Sequence, residues 1–148
     1  MARYYTPQVA ARRARMAPAR DLNPTEAAWA DLIANGAFAT DTIWSKGTGW
    51  GIADGVATHT GVTASNIVQP VPIIAGATYR FVWTISGRTA GSLKSRLNGG
   101  TAVSGDLETT DAEHTQDLVA KAGNTDAGVR ASSDFDGSVD DLSVTRIA

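Results

Sequence analysis

The sequence predicts an all-β sandwich of about eight strands over residues 32–148, preceded by a basic arm over residues 1–22 and a short helix over residues 23–31. Hydrophobic residues make up 43% of the 148 residues and charged residues 19%, which is enough for one core and too little charge for a disordered chain. Glycine is abundant, at 15 residues, and short polar runs separate the apolar stretches. This composition is typical of many short strands joined by turns.

The clearest strand covers residues 78–86, where apolar and polar residues alternate with a period of two. Four large side chains of this segment fall on one face: Tyr79, Phe81, Trp83 and Ile85. Further strands are predicted over residues 51–53, 56–60, 66–71, 92–97, 116–120, 128–132 and 139–146. Turns are predicted at Ala53-Asp54-Gly55, Asn98-Gly99-Gly100, Gly123-Asn124 and Asp136-Gly137. About eight short strands with this spacing indicate a sandwich or jelly roll.

The residues before the sandwich predict a short helix. Asn23 suits an N-cap, Pro24 suits the first helical position, and Glu26 can close a capping box. An alternative stays open for the last residues, because residues 30–38 also fit a strand.

The charge is unevenly distributed along the chain. Residues 1–20 carry five arginines and no acid, whereas the rest carries 8 basic and 15 acidic side chains. A basic arm ahead of an acidic body is typical of an interaction segment, and we expect an acidic protein surface rather than nucleic acid as its partner. The predicted anchoring residues combine these cations with apolar side chains: Arg3, Tyr4, Tyr5, Val9, Arg12, Arg13, Arg15, Met16 and Arg20.

Several classes of protein and site are excluded. The absence of cysteine excludes disulfides, thiolate zinc sites and a Cys nucleophile. No apolar run is long enough for a transmembrane helix, and no apolar segment follows the basic N-terminus as a secretory signal requires. His59 and His114 have no second His or Cys at metal-ligand spacing.

No constellation of catalytic residues is found either, and we expect the chain not to be an enzyme. There is no nucleophile elbow. A glycosidase needs two carboxylates across a cleft, whereas the acidic run near the C-terminus is typical of a solvated loop. Its members are Asp134, Asp136, Asp140 and Asp141.

Five short motifs follow one another along the predicted β-region. The segments are Asn35-Gly36-Ala37-Phe38, Gly49-Trp50, Ile67-Val68-Gln69, Gly76-Ala77-Thr78-Tyr79-Arg80-Phe81 and Val139-Asp140-Asp141-Leu142-Ser143-Val144. This order resembles the carbohydrate-binding modules of the galactose-binding-like jelly-roll type, over about residues 32–147. The resemblance implies a jelly-roll sandwich and a surface that binds sugars.

Modules of this kind stack aromatic rings on sugar faces and use polar groups for the hydroxyls. The resemblance therefore gives Trp44, Trp50, Arg80, Arg96 and Asn98 as candidate glycan-binding residues. Trp50 matches a position that usually packs in or beside the core. Trp44 lies in a loop and is the candidate expected to be most exposed, although core or edge packing is favoured for it as well.

Members of the family often hold a structural calcium ion through an acid after the Phe of the first motif and an Asp of the last strand. Here Ala37, Ala39 and Thr40 surround that Phe, which leaves Asp140 as the weak metal candidate, with Asp41 able to contribute only if its loop bends back. Calcium prefers six to eight oxygen ligands with several carboxylates. We therefore expect no cofactor and no filled calcium site.

Phage capsid decorations, head fibres and tail appendages often resemble such modules with short anchoring arms. The domain type works outside cells, the sequence has no secretion signal, and the sandwich fills the chain after its arm. We therefore expect a structural virion protein of a tailed bacteriophage, assembled in the host cytoplasm as a homo-oligomer. Its arm would dock on a major capsid or tail protein, and its sandwich could meet host-surface glycans. The alternatives are a stand-alone carbohydrate-binding module and, less favoured, a small glycan hydrolase.

Overall fold

The computed structural model describes residues 30–148, and this part of the chain contains ten strands and no helix. The strands are β1 (Ser45–Lys46), β2 (Trp50–Ala53), β3 (Val56–Thr60), β4 (Ser65–Pro70), β5 (Thr78–Ala90), β6 (Leu93–Asn98), β7 (Val103–Ser104), β8 (Glu113–Val119), β9 (Asp126–Ala131) and β10 (Asp136–Arg146). No helix in this range is long and apolar enough to cross a membrane. The predicted arm and residues 23–29 of the predicted helix lie outside the described residues.

Two five-stranded antiparallel sheets form a β-sandwich. The first has the order β1-β4-β9-β6-β7 and the second the order β2-β3-β10-β5-β8, and we name them the β9 sheet and the β10 sheet after their central strands. Every paired strand runs antiparallel to its neighbours. The all-β sandwich predicted from the sequence is thus confirmed.

The core lies between the two sheets and is built from the inward residues of strands in which buried and exposed positions alternate. Tyr79, Phe81, Trp83 and Ile85 of β5 are at most 1% exposed, as the alternation predicts. Strands β6 and β9 contribute smaller apolar side chains from the opposite sheet, including Leu97.

All eight predicted strands are present, with ends displaced by at most four residues. Strands β1 and β7 were missed because two residues are too few for an alternation to be visible. The β2–β3 turn is as predicted, since Asp54 and Gly55 have φ angles of 55° and 78°.

The predicted turn at Asp136-Gly137 is wrong. Asp136 begins β10 and pairs with Thr60 and Ala90, and the chain reverses earlier, where Phe135 N donates to Ser132 O over 3.1 Å. Gly137 is instead a site of close packing, because a Cβ there would lie 3.0 Å from the Arg88 Cα atom.

The predicted helix does not reach Asp31. The backbone of Asp31 bridges Thr145 of β10, and its carboxylate accepts the N–H groups of Ile33 and Val144, each over 3.0 Å. Of the alternative strand over residues 30–38, only Asp31 pairs with β10, on the side that β3 leaves unpaired after Val139.

Candidate functional site

The outer side of the β9 sheet carries a group of polar side chains that point away from the core. In β6, Leu93, Ser95 and Leu97 are buried, whereas Lys94, Arg96 and Asn98 alternate with them and are partly exposed. This alternation follows from the period of two along a strand, which sends successive side chains to opposite sides of the sheet.

Strand pairing adds residues from β4, β7 and β9 to this side. Arg130 lies between Asn66 of β4 and Lys94 of β6, and Arg96 lies between Gly128 of β9 and Ser104 of β7. We call this surface the cationic face. Its polar members are Asn66, Lys94, Arg96, Asn98, Ser104, Asp126 and Arg130.

Neutral side chains hold both arginines of the cationic face. Arg96 donates from Nη1 to the Ser104 hydroxyl over 3.0 Å and from Nε and Nη2 to Asn98 Oδ1 over 3.4 Å each. Arg130 donates from Nη1 to Asn66 Oδ1 over 3.0 Å. No carboxylate within residues 30–148 lies within 4.0 Å of either guanidinium group. The two cations are therefore positioned by hydrogen bonds and not by ion pairs.

The electrostatic environment of Arg96 disfavours its charge. Burial lowers the pKa of Arg96 from its usual value, and the positive charge of Arg130 lowers it further. Guanidinium groups are cationic at neutral pH in proteins. The cationic face thus holds two like charges on diagonally related positions of neighbouring strands.

Gly128 keeps the middle of the cationic face free of a side chain. It pairs with Val68 on one side and Arg96 on the other. A Cβ at this position would lie 2.0 Å from Ile67 O and 2.8 Å from the Val68 Cα atom. Strands β4 and β9 can approach at this point only because residue 128 is glycine.

Arg80, the third cationic or polar residue proposed for sugar binding, lies on the other sheet. It points outward from β5 and binds the Asp117 carboxylate of β8 through Nε and Nη2 over 2.8 and 2.9 Å. This hydrogen bond lowers the pKa of Asp117 and raises the pKa of Arg80. The structure therefore brings Arg96 and Asn98 together but separates Arg80 from them.

The outer side of the β10 sheet differs in composition from the cationic face. Its outward residues are mostly hydroxyl-bearing, and we call it the hydroxyl face. Its main members are Thr58, Thr84, Thr115, Ser138, Ser143 and Thr145. Thr58 and Ser138 share a hydrogen bond of 3.0 Å across β3 and β10.

Both candidate tryptophans lie in the core. Trp44 was expected to be the most exposed candidate, but it is 7% exposed, because its ring packs 5.0 Å from that of Phe38 and its indole N–H donates to Asn35 O. Trp50 is 8% exposed and donates to Ser65 O over 3.3 Å. The packing role that the sequence favoured for both rings accounts for their positions.

The same holds for every aromatic ring of residues 30–148. The rings are Phe38, Trp44, Trp50, Tyr79, Phe81, Trp83 and Phe135, and none is more than 8% exposed. Tyr4, Tyr5 and Trp29 lie outside the described residues. The described surface therefore offers no ring on which a sugar could stack.

The two histidines are satisfied within the fold. His59 is fully buried and its ring nitrogens face Phe135 O at 2.6 Å and Thr63 O at 3.0 Å. His114 pairs with Glu108 and reaches Thr110 O over 2.9 Å. Ser65 Oγ lies 3.4 Å from His59 Nε2, and Thr110 Oγ1 lies 3.5 Å from His114 Nε2. Each of these nitrogens also faces a backbone carbonyl oxygen at a shorter distance.

Within residues 30–148 no group of three or more His, Asp or Glu side chains could hold a metal ion. Asp140, the weak calcium candidate, accepts the N–H of Asp141 over 2.7 Å. Asp41 binds Lys46 over 2.6 Å instead of bending back towards Asp140. The expectation of no cofactor stays a prediction.

No protein-family model and no curated protein matches this sequence. Solved structures do match. One is the enzymatically active domain of tailspike protein 4 from bacteriophage CBA120, at 14% identity and a TM-score of 0.52, over 79% of this chain and 21% of that chain. Another is the xylan-binding CBM22-1 domain of Xyn10C from Paenibacillus barcinonensis, at 11% identity and a TM-score of 0.52, over 81% of this chain and 96% of that domain.

The β-sandwich resembles that of carbohydrate-binding modules. This chain spans about a fifth of the tailspike chain and nearly all of the CBM22-1 domain. The two matches support a β-sandwich of this kind, as the sequence resemblance implied, and they identify no site residue in this chain.

Sequence reasoning found Arg96 and Asn98 but missed Lys94, Arg130 and Asn66. The polar positions of 92–97 and 128–132 carried a usable signal, since Lys94, Arg96 and Arg130 all fall opposite the apolar positions of their strands. What the sequence did not contain was the register that places Arg130 beside Lys94.

Proposed function

We propose that this chain is a jelly-roll domain that binds glycans through the cationic face of the β9 sheet. The observation that carries the proposal is the fixed arrangement of guanidinium, amide and hydroxyl groups around Arg96 on the outer side of the β9 sheet. Sugar hydroxyl groups donate and accept hydrogen bonds, and Arg96, Asn98 and Asn66 supply both partners.

Two further observations support this proposal. The CBM22-1 domain, which shares the fold over nearly its whole length, is a xylan-binding domain. The candidate residues are also spread over the four adjacent strands β4, β9, β6 and β7, so rigid backbone pairing fixes their spacing. A preorganised surface loses little conformational entropy when a ligand binds.

A glycan array probed with the full-length protein tests the proposal. We expect binding to at least one glycan class, and Arg96→Ala should weaken that binding by about tenfold. Arg146→Ala is the matched control, because Arg146 lies on β10 and the substitution removes the same charge from the opposite sheet. Trp44→Ala is not a surface probe, because this ring belongs to the core. Absence of binding to every glycan would refute the proposal.

A second proposal concerns where the domain works: we propose that it is a structural protein of a tailed-phage virion, as a capsid decoration, head fibre or tail appendage. The similarity to a phage tailspike domain favours this location. The arginine-rich residues 1–20 supply an anchoring segment for an acidic subunit surface. In this proposal the chain is a homo-oligomer without catalytic activity, and its partners are capsid or tail subunits.

Deleting residues 1–20 tests the anchoring role. We expect the truncated chain to remain folded and soluble, as circular dichroism would show, but to be missing from purified particles produced in its presence. Full-length protein is the positive control. Normal incorporation of the truncated chain would contradict the anchoring role while leaving the glycan proposal untouched.

A further inference from the structure

We propose that the ligand of the cationic face is an acidic glycan, with the carboxylate of a uronic-acid unit bound between Arg96 and Arg130. This inference rests on the proposed function and specifies its substrate class. Three properties of the described surface lead to it: the position of the aromatic rings, the unused donors of the arginines, and the distribution of charge.

The aromatic rings argue against a ligand bound mainly through its apolar sugar faces. A ring stacked on a sugar contributes through apolar contact, which requires an exposed platform. All seven rings of residues 30–148 are buried between the sheets. The binding energy that residues 30–148 supply at the cationic face must therefore come from hydrogen bonds and charge.

The arginines have donors to spare. A guanidinium group carries five N–H donors. Among the described residues, Arg130 uses only Nη1, in its bond to Asn66, and Arg96 uses two weak contacts of 3.4 Å to Asn98 beside one good bond to Ser104. A carboxylate matches the planar fork of a guanidinium group with two parallel hydrogen bonds, which a neutral hydroxyl group cannot do.

The charges of the face are arranged for an anion. Lys94, Arg96 and Arg130 are contiguous across β6 and β9, and Asp126 is the only acid on the same side of these strands. Diagonal neighbours on a sheet are within reach of long side chains, so a single carboxylate can contact both arginines. Its binding would offset the repulsion that the two guanidinium groups exert on each other.

The surrounding charge favours an acidic glycan over nucleic acid. The chain has a formal net charge of −2 despite its basic arm, so the sandwich itself is acidic. A nucleic acid with a charge at every phosphate would be repelled beyond the small cationic face, and the face lacks the rings that stack on bases. A glycan with spaced carboxylates can place one charge on the face and its neutral hydroxyl groups around it.

Calorimetric titration of the full-length protein with polygalacturonate and with its methyl ester tests the inference. The two polymers share a backbone and differ at the carboxyl group, which is a charged carboxylate in one and a neutral methyl ester in the other. We expect at least about tenfold weaker binding of the ester, and a marked loss of polygalacturonate affinity when salt is raised from about 0.05 M to about 0.5 M. Equal affinity for the two polymers would overturn the inference.

Variants locate the effect. We expect Arg96→Gln and Arg130→Gln each to weaken polygalacturonate binding by about tenfold, and Arg146→Gln, which removes the same charge from β10, to leave it unchanged. Two separate arginine variants guard against a folding defect in either one, and thermal melts of each confirm the fold. Unchanged binding in both arginine variants would overturn the assignment of the binding site to the cationic face.

The remaining outcomes separate this inference from the proposal it rests on. Binding of a neutral glycan that depends on Arg96 would overturn the acidic ligand and leave the glycan-binding function standing. Binding of duplex DNA that depends on Arg96, without any glycan binding, would overturn both. Lack of binding to every glycan and to DNA would also refute both.

Discussion

On the β10 sheet, Arg80 lies opposite Asp117, and the two side chains close an ion pair with two hydrogen bonds. On the β9 sheet, Arg96 lies opposite Gly128, and its nearest cross-strand cation is Arg130. Arginine is thus paired with a carboxylate on one face of the sandwich and has a neighbouring cation on the other. An arginine paired with a carboxylate within the sheet has its charge compensated, whereas an arginine held by Asn98 and Ser104 keeps its charge available for a ligand.

The largest effect that distinguishes the two sheets is expected at their glycines. Gly128→Ala on the cationic face should lower the free energy of unfolding by about 3 kcal/mol, because the new Cβ would meet Ile67 O at 2.0 Å. Gly51→Ala on β2 should change it by less than about 0.5 kcal/mol, since nothing lies within 4 Å of a Cβ there. Urea denaturation measures both. Similar losses in the two variants would contradict this account of strand packing at Gly128.

A smaller effect is expected from the one acid of the cationic face. Asp126→Asn should raise the affinity for an acidic glycan by about threefold, because a repulsive carboxylate is removed near Arg96. Asp54→Asn is the matched control, since Asp54 lies in the β2–β3 turn at a φ of 55°, which asparagine tolerates. Calorimetry should find no change for the control. A loss of affinity in Asp126→Asn would mean that this carboxylate contacts the ligand instead of repelling it.

Double-mutant cycles on the free protein should give opposite signs on the two faces. Arg96→Gln and Arg130→Gln should show an unfavourable coupling of about 0.5 kcal/mol between the two arginines that shrinks in high salt. The cycle of Arg80→Gln with Asp117→Asn should show a favourable coupling. Chemical denaturation of the six variants and the wild type measures both terms. A favourable coupling between Arg96 and Arg130 would refute the claim that they repel each other.

The smallest effect is the pH dependence of the Arg80–Asp117 pair. The pKa of Asp117 is lowered from 3.8 by the hydrogen bond from Arg80, so the pair contributes stability above that value and loses it as pH falls through the lower, folded-state pKa. The melting temperatures of wild type and Arg80→Gln should therefore differ slightly near neutral pH and converge in acid. Asp117→Asn should remove this convergence. A difference that persists in strong acid would point to packing of the Arg80 stem.

The fold could be predicted from local patterns wherever the alternation of apolar and polar residues lies within a single strand. The alternation of Tyr79, Phe81, Trp83 and Ile85 fixed one face of β5, and the structure buries all four. The turn predicted at Asp136-Gly137 was wrong, because this dipeptide suits both a turn and the crowded start of a strand. Only the tertiary neighbours of Gly137 decide between the two. The arm and most of the predicted helix lie outside the described residues and stay predictions.

The candidate site was harder to predict, because it is a product of strand pairing. Arg96 and Arg130 are 34 positions apart in the sequence and meet only through the β6–β9 register. Trp44 was easier to assign. Core or edge packing was favoured for it although it lies in a loop, and the ring packs against Phe38 and donates to Asn35 O. The residues of a surface site depend on which strands become neighbours, which a single sequence does not specify.

The burial of Trp44, Trp50 and Trp83 has a practical consequence for spectroscopy. An indole that is already shielded from water changes its emission little when a ligand settles on the outside of a sheet. Binding of a ligand at the cationic face would therefore cause almost no change in the fluorescence of these three tryptophans. Heat of binding, or a label placed beside Arg96, would report an association that intrinsic fluorescence from the core cannot register.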